Sequence, residues 1–252
     1  MSELEAGGQP RIDETQLLRA ELEDTRRLAA EKEQQLERYA SDLRETFKQE
    51  RERTHEVRRS YVATVRALTN AVEARDPDTG KHAERVAAYS LELARSVAPE
   101  LVADPLSEFG FLLHDVGKVA IPDSVLHKPH PLTAEERALI ETHTVIGAQI
   151  LAGIEFLSDA RAVVRHHHER WDGGGYPDGL AGEDIPIAAR IFAVADTFDA
   201  LTTDRPYRPA ATLERAQEVI AGEAGLQFDP AVVAAFAKVS GERLEEIRRA
   251  IT

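Results

Sequence analysis

Cysteine is absent from this sequence, which removes disulfides and thiolate metal sites. A reducing compartment, the cytoplasm, suits such a chain. No apolar run approaches the roughly 18 residues needed to cross a membrane, so membrane insertion is not expected. The first residues, MSELEAGGQPRIDE, lack an apolar core of the secretory kind. Basic residues are outnumbered, 31 Lys and Arg against 45 Asp and Glu, for a net charge of −14. That balance argues against a binder of nucleic-acid polymers and leaves room for a small phosphate ligand held by metal ions or a few placed cations. No stretch alternates polar and apolar residues well enough to predict a strand.

Glycine and proline are also missing from residues 11 to 76. Within that stretch Leu18, Leu22, Thr25, Ala29, Lys32, Leu36, Tyr39 and Leu43 recur in alternating steps of four and three. This is the seam of a coiled coil, imperfect at Thr25 and Lys32 and weak from Glu50 to Glu56. Residues 1–57 therefore read as a dimerisation arm, with a parallel homodimer expected, and a single solvated helix is the other reading. Residues 58–252 read as one all-α domain, a helical bundle behind that arm. Apolar spacing at Val57, Tyr61, Val65, Leu68 and Val72 continues the first helix. Val86, Tyr89, Leu93 and Val97 mark a second face, and Leu139, His143, Ile146 and Ile150 a third. Ile187, Ile191, Val194, Phe198 and Leu201 mark another, and helices are expected from Thr212 and Pro230. Thr133 and Glu136 form a capping box ahead of the third face.

Histidines are concentrated in the middle of the chain. Seven of the nine lie between His114 and His168. His82 precedes Val86 by one helical turn, and His143 sits between Leu139 and Ile146. His167 and His168 each follow a valine by four residues, and Asp196 follows Phe192 by four. Any one of these reads as a satisfied core histidine or a capping aspartate. Together they are costly to bury unless they share a compensating partner, and a metal cluster is that partner. Imidazole and carboxylate without sulfur suit Mn, Fe, Zn or Co. The adjacent pairs His114-Asp115 and His167-His168 are expected about 100° apart on helices, each able to straddle two ions. His166 is expected to point elsewhere.

The segments HDVGK at 114–118, HHERWDGGGYP at 167–177 and ARIFAVADTFDALTTDRPYR at 189–208 resemble the HD-GYP domain, a branch of the HD phosphohydrolase superfamily. IPDSVLHKP at 121–129, LTAEERALIETHTVIGAQIL at 132–151, EDIPIAARI at 183–191 and FDP at 228–230 carry the same resemblance. It covers roughly residues 60 to 240. The resemblance implies metal-dependent phosphodiesterase action on cyclic di-GMP. It implies metal ligands at His82, His114, Asp115, His143, His167, His168 and Asp196, with Asp115 bridging two ions, Fe or Mn. Asp115 and Lys118 become the catalytic pair, with Lys118 on a phosphate oxygen and Arg205, Arg208 and Tyr176 on the substrate side. A third ion is implied if Asp78 is a ligand; the alternative is that Asp78 only caps the helix of His82. The GYP turn, Gly175 to Pro177, is associated in the family with signalling partners, and a rigid turn orienting His167 and His168 is the alternative. Two positions depart from the family pattern, His130 and Lys81, where glycine is usual. The alternative readings are an HD-type phosphohydrolase of another nucleotide and a signalling adaptor that binds the messenger or partner proteins without turnover.

Overall fold

The computed structural model describes residues 14–75, 81–104, 106–204 and 209–251. Among them the fold is all-α. The chain divides into a unit up to Tyr61 and a compact unit from Val62. Helix α1 runs unbroken from Glu14 to Glu73, as the lack of glycine and proline dictates. In the first unit the seam residues Leu18, Leu22, Leu36, Tyr39 and Leu43 are each more than half exposed.

The second unit is built from short helices: α2 (His82–Val97), α3 (Pro99–Ala103), α4 (Ser107–Leu112) and α5 (Asp123–Leu126). They are followed by α6 (Ala134–Ile150), α7 (Ala160–His166), α8 (Ile187–Thr202), α9 (Leu213–Gly222), α10 (Pro230–Phe236) and α11 (Gly241–Ile251). The end of α1 contributes Val65, Thr69 and Val72 to the core, whereas Leu68 of the expected stripe is exposed. Helix α2 packs on α8 through Tyr89 against Phe198, with ring centroids 5.0 Å apart. Phe111 of α4 stacks on Phe192 of α8 at 6.3 Å, and Phe192 also lies 4.7 Å from the ring of His114. Gly110 lets α4 close on α7, since a methyl there would come within 2.9 Å of Val163.

The capping box forms as expected: Thr133 accepts from the Glu136 amide and Glu136 accepts from the Thr133 amide. The buried face of α6, however, is His143, Thr144, Gly147 and Ala148, while Leu139 and Ile150 are exposed. The expected stripe is out of phase because α6 packs against backbone. The short 3-10 turn Val116–Ala120 lies on it so closely that only glycine fits at 117. Lys81, at the cap position of α2, has φ 57°, the left-handed region that favours glycine. This gives the physical reason for the usual glycine there. Arg75, just past α1, donates to the carbonyls of Val119 (2.6 Å) and Ile121 (3.0 Å) and pairs with Asp123 (2.6 Å), tying down the IPD turn.

Gly117→Ala is expected to destabilise the protein by about 1–3 kcal/mol, because a methyl group would overlap the His143 carbonyl and lie 2.6 Å from the Gly147 nitrogen. Thermal melting checks this; an unchanged melting temperature would show that the turn can shift away from α6.

Candidate metal centre

Five of the expected residues come from chain ends of helices. His82 opens α2, His114 and Asp115 follow α4, and His167 and His168 follow α7. His143 and Asp196 lie within α6 and α8. The two adjacent pairs are thus not on continuous α-helix as expected. Helix α4 stops at Leu112 and α7 at His166, and the ligands occupy the turns that finish them. Lys118 still faces Asp115, with Nζ 2.9 Å from Oδ2. The 3-10 turn superposes residues three apart, which α-helical spacing only approximates.

His82, His114, His143 and His167 are buried. Three of them give the ring Nδ1–H to a carbonyl three residues back: His114 to Phe111 (2.9 Å), His143 to Ile140 (2.7 Å) and His167 to Val164 (2.9 Å). A carbonyl only accepts, so each ring carries a proton at Nδ1 and turns its Nε2 inward. Those inward atoms converge. His143 Nε2 is 3.3 Å from His167 Nε2 and 3.4 Å from Asp115 Oδ1. His114 Nε2 is 3.1 Å from Asp115 Oδ2, and His82 Nε2 is 3.2 Å from Asp196 Oδ1. His143, His167 and His168 each offer an atom within 4.8 Å of the others. Two lone pairs facing each other at 3.3 Å in a buried site have no proton to share, so a divalent cation suits this donor set.

Electrostatics agree with that reading. Burial would raise the Asp115 carboxyl, but Lys118 and His114 hold it well below the ordinary range. Burial likewise opposes ionisation of Asp196, yet His82 keeps it lowered. Burial pushes the His168 ring down to about 4, with His143 adding to the shift, and pushes His167 well below its usual value. His82 is the opposite case: burial acts to lower it, but hydrogen bonds to Asp196 and Asp199 push it up to about 10. A ring between two carboxylates marks a place that attracts positive charge.

A cavity of about 20 Å³ lies beside His82, His114, Asp115 and Lys118, with Glu73 on its wall. That is room for one or two water-sized species. A wider cleft of about 310 Å³ opens beside His168 and Asp196, and Arg137, Glu141, Tyr176 and Gln227 line it. Tyr176 stacks on His168 at 4.8 Å. Asp78, Arg205 and Arg208 lie outside the described residues. The capping position that was the alternative for Asp78 is held by Lys81, and Glu73 accepts from the Ala83 amide at 2.9 Å.

His166 points away, as expected, toward Asp178 (3.5 Å) and Glu169 (3.7 Å). Sequence reasoning missed Glu169. Its buried carboxylate accepts from the amides of Asp178 (2.8 Å) and Leu180 (3.1 Å), stapling the GYP turn to the histidine segment. Arg165 forks Asp178 with two bonds of 2.7 Å, so this second group of acids is occupied holding the loop. Asp172 anchors the glycine turn, accepting from Gly174 at 2.9 Å. Asp199 and Arg85, behind His82, and the half-buried pair Arg190–Asp229 were also missed. Only their three-residue spacing from Asp196 and His82 hinted at the first two.

Residues 66–232 match the HD domain family. The chain belongs to that family. Its motifs place it in the HD-GYP branch, and HD domain phosphohydrolases depend on metal. Over 195 residues it is 43% identical to the 3'3'-cGAMP-specific phosphodiesterase 2 of Vibrio cholerae, covering 76% of this chain and 34% of that protein. Over 200 residues it is 41% identical to a cyclic di-GMP phosphodiesterase of Vibrio cholerae, covering 73% of this chain and 41% of that protein. The chain therefore spans less than half the length of these two relatives. The crystal structure of a cyclic GMP-AMP phosphodiesterase of the same organism, V-cGAP3, shares the fold, with a TM-score of 0.54 at 21% identity over 73% of this chain and 52% of that one.

Glu169→Ala is expected to strand two backbone amides and cost about 1–3 kcal/mol. Limited proteolysis within residues 173–181 should accelerate alongside a lower melting temperature. Unchanged cleavage of that loop would remove the staple role from Glu169.

Proposed function

We propose that this chain is a metal-dependent phosphodiesterase that opens the phosphodiester bonds of cyclic di-GMP in cytoplasmic second-messenger signalling. The carrying observation is the convergence of the inward imidazole nitrogens of His143 and His167 with the Asp115 carboxylate beside Lys118. His82, His114, Asp115, His143, His167, His168 and Asp196 would hold two divalent ions, Fe or Mn. Asp78 would serve a third. Such ions supply Lewis-acid charge and lower the pKa of the water that attacks phosphorus.

The chain's own groups do the remaining work. Lys118, held against Asp115, offers positive charge to a phosphoryl oxygen as charge develops there. Tyr176 lines the cleft with its ring stacked on His168, and an aromatic lining suits a base or ribose face. Arg137 is exposed on the cleft wall, and Arg205 and Arg208 would add phosphate contacts on the basis of the family resemblance. Residues 58–252 would form this catalytic domain. A second reading, a mixed cyclic GMP-AMP substrate, is favoured by the 43% identical relative, which is specific for 3'3'-cGAMP by name.

Incubation of metal-loaded protein with each cyclic dinucleotide, with products read by chromatography, tests the proposal. Cyclic di-GMP should be consumed, and Asp115→Ala should lower the rate by at least about 100-fold through the lost ligand. Full activity of Asp115→Ala with verified metal content would sink the mechanism. Selective consumption of the mixed dinucleotide would replace the substrate.

Residues 1–57 would hold a parallel homodimer, because the seam residues Leu18, Leu22, Leu36, Tyr39 and Leu43 are exposed at coiled-coil spacing. Light scattering should give a dimer for the wild type and a monomer for the triple variant Leu22→Glu, Leu36→Glu, Leu43→Glu. A monomeric wild type at micromolar concentration would remove this claim.

A further inference from the structure

Three histidines of the cluster are oriented by carbonyls of their own turn, whereas His82, the first residue of α2, turns its Nδ1 to a carboxylate. Its Nδ1 instead lies 2.8 Å from Asp199 Oδ2, across on α8. Asp199 is 2% exposed and is itself gripped by Arg85, one turn after His82. Arg85 Nε donates to Oδ1 at 2.7 Å and Arg85 Nη2 to Oδ2 at 2.9 Å.

We propose that Asp199, clamped by Arg85, is a positioning residue for His82: it holds the Nδ1 proton, so that when a cation replaces the proton on Nε2 the freed lone pair is aimed at the centre that Asp196 shares. This rests on the reading of His82 as a metal ligand. The geometry leaves Asp199 little freedom for another role. Its two oxygens receive three donors, two from Arg85 and one from His82, and the fork fixes the plane of the carboxylate. A carboxylate behind a ligating imidazole sets the tautomer and the ring angle, and such partners matter to metal affinity by roughly 10–100-fold.

The isosteric amide distinguishes this from simple packing. In Asp199→Asn an NH₂ group must replace one oxygen. At the Oδ1 place it meets Arg85 Nε–H, donor against donor. At the Oδ2 place it meets Arg85 Nη2 and donates to His82 Nδ1, which moves the ring proton to Nε2 and blocks the inward lone pair. Both arrangements spoil the aim of His82 while keeping the volume of the side chain.

The experiment is calorimetric titration of the metal-free full chain with Mn²⁺ alone, with bound metal counted after desalting. The proteins are wild type, Asp199→Asn, Arg85→Lys, His82→Ala and the double variant His82→Ala/Asp199→Asn. Asp199→Asn should weaken one ion about 10–100-fold. Arg85→Lys, which keeps the charge and loses the fork, should act in the same direction more mildly. In the His82→Ala background the Asn substitution should add nothing further, the signature of action through His82. Wild-type affinity in both single variants would overturn the inference, and so would an equal further loss in the double variant. Should Asp199→Asn not fold, Arg85→Lys carries the test by itself. Turnover of no cyclic dinucleotide with metal uptake intact would overturn the proposed substrate and leave this inference standing. A wild type that takes up no Mn²⁺ would overturn both.

Discussion

The second unit is organised around where the imidazole protons go. A neutral histidine carries one N–H and one lone pair, and a ligand must spend the N–H on something that cannot give it back. Phe111 and Val164 do this for His114 and His167, and both carbonyls belong to the last turns of α4 and α7. Such carbonyls have no amide partner further along the helix. Ending the helix there therefore frees an acceptor, and the ring that follows both caps the helix and fixes its own tautomer. Helix termination and ligand orientation are one event at these two sites. The resulting shell of inward lone pairs cannot relieve itself by protonation, because burial holds His143, His167 and His168 below their usual values. Charge from a bound cation is the remaining remedy.

That constraint also explains the parts of the fold that run against simple periodicity. Two six- and seven-residue helices, α4 and α7, would be too short to persist alone. They are held by close backbone contact at Gly110 and by the Phe111–Phe192 stack, which stands directly behind the ring of His114. Gly117 serves the same end on the other side, bringing the turn that bears Asp115 and Lys118 onto α6 next to His143. Glycine at 117 is thus a requirement of ligand spacing as much as of packing.

The all-α class, the capping box at Thr133, and the inward placing of His82 and His143 were legible from residue type and spacing. The pairing of Lys118 with Asp115 came instead from the family resemblance. The α6 stripe was read out of phase because periodicity rewards large apolar residues, and the true buried face is small, Thr144, Gly147 and Ala148, where backbone approaches backbone. The adjacent pairs were assigned to continuous helix because nothing local announces that a helix stops in order to release a carbonyl. Glu169, Asp199 and Arg85 were not legible as supports. Each acts on a partner from another element or across a turn, and a charged side chain in a one-dimensional pattern reads as solvated surface.

Glu169 makes the GYP turn and the histidine segment mechanically continuous. Its carboxylate closes the turn at Asp178 and Leu180 while its own backbone lies against Gly175, where any side chain would collide with the Glu169 and His168 backbone. Tyr176 donates its amide to the His168 carbonyl at 3.3 Å and lays its ring on the His168 imidazole. A displacement of the turn must therefore carry Tyr176 across the face of a ring whose nitrogen belongs to the cluster. The coupling runs both ways: whatever fixes His168 from the inside also fixes the turn at the surface, about one aromatic ring away. The glycines are what allow the connection to be this short, since Gly173 supplies a φ of 79° and Gly175 the absence of a side chain. The loop named for its sequence is thus a surface extension of the candidate metal centre.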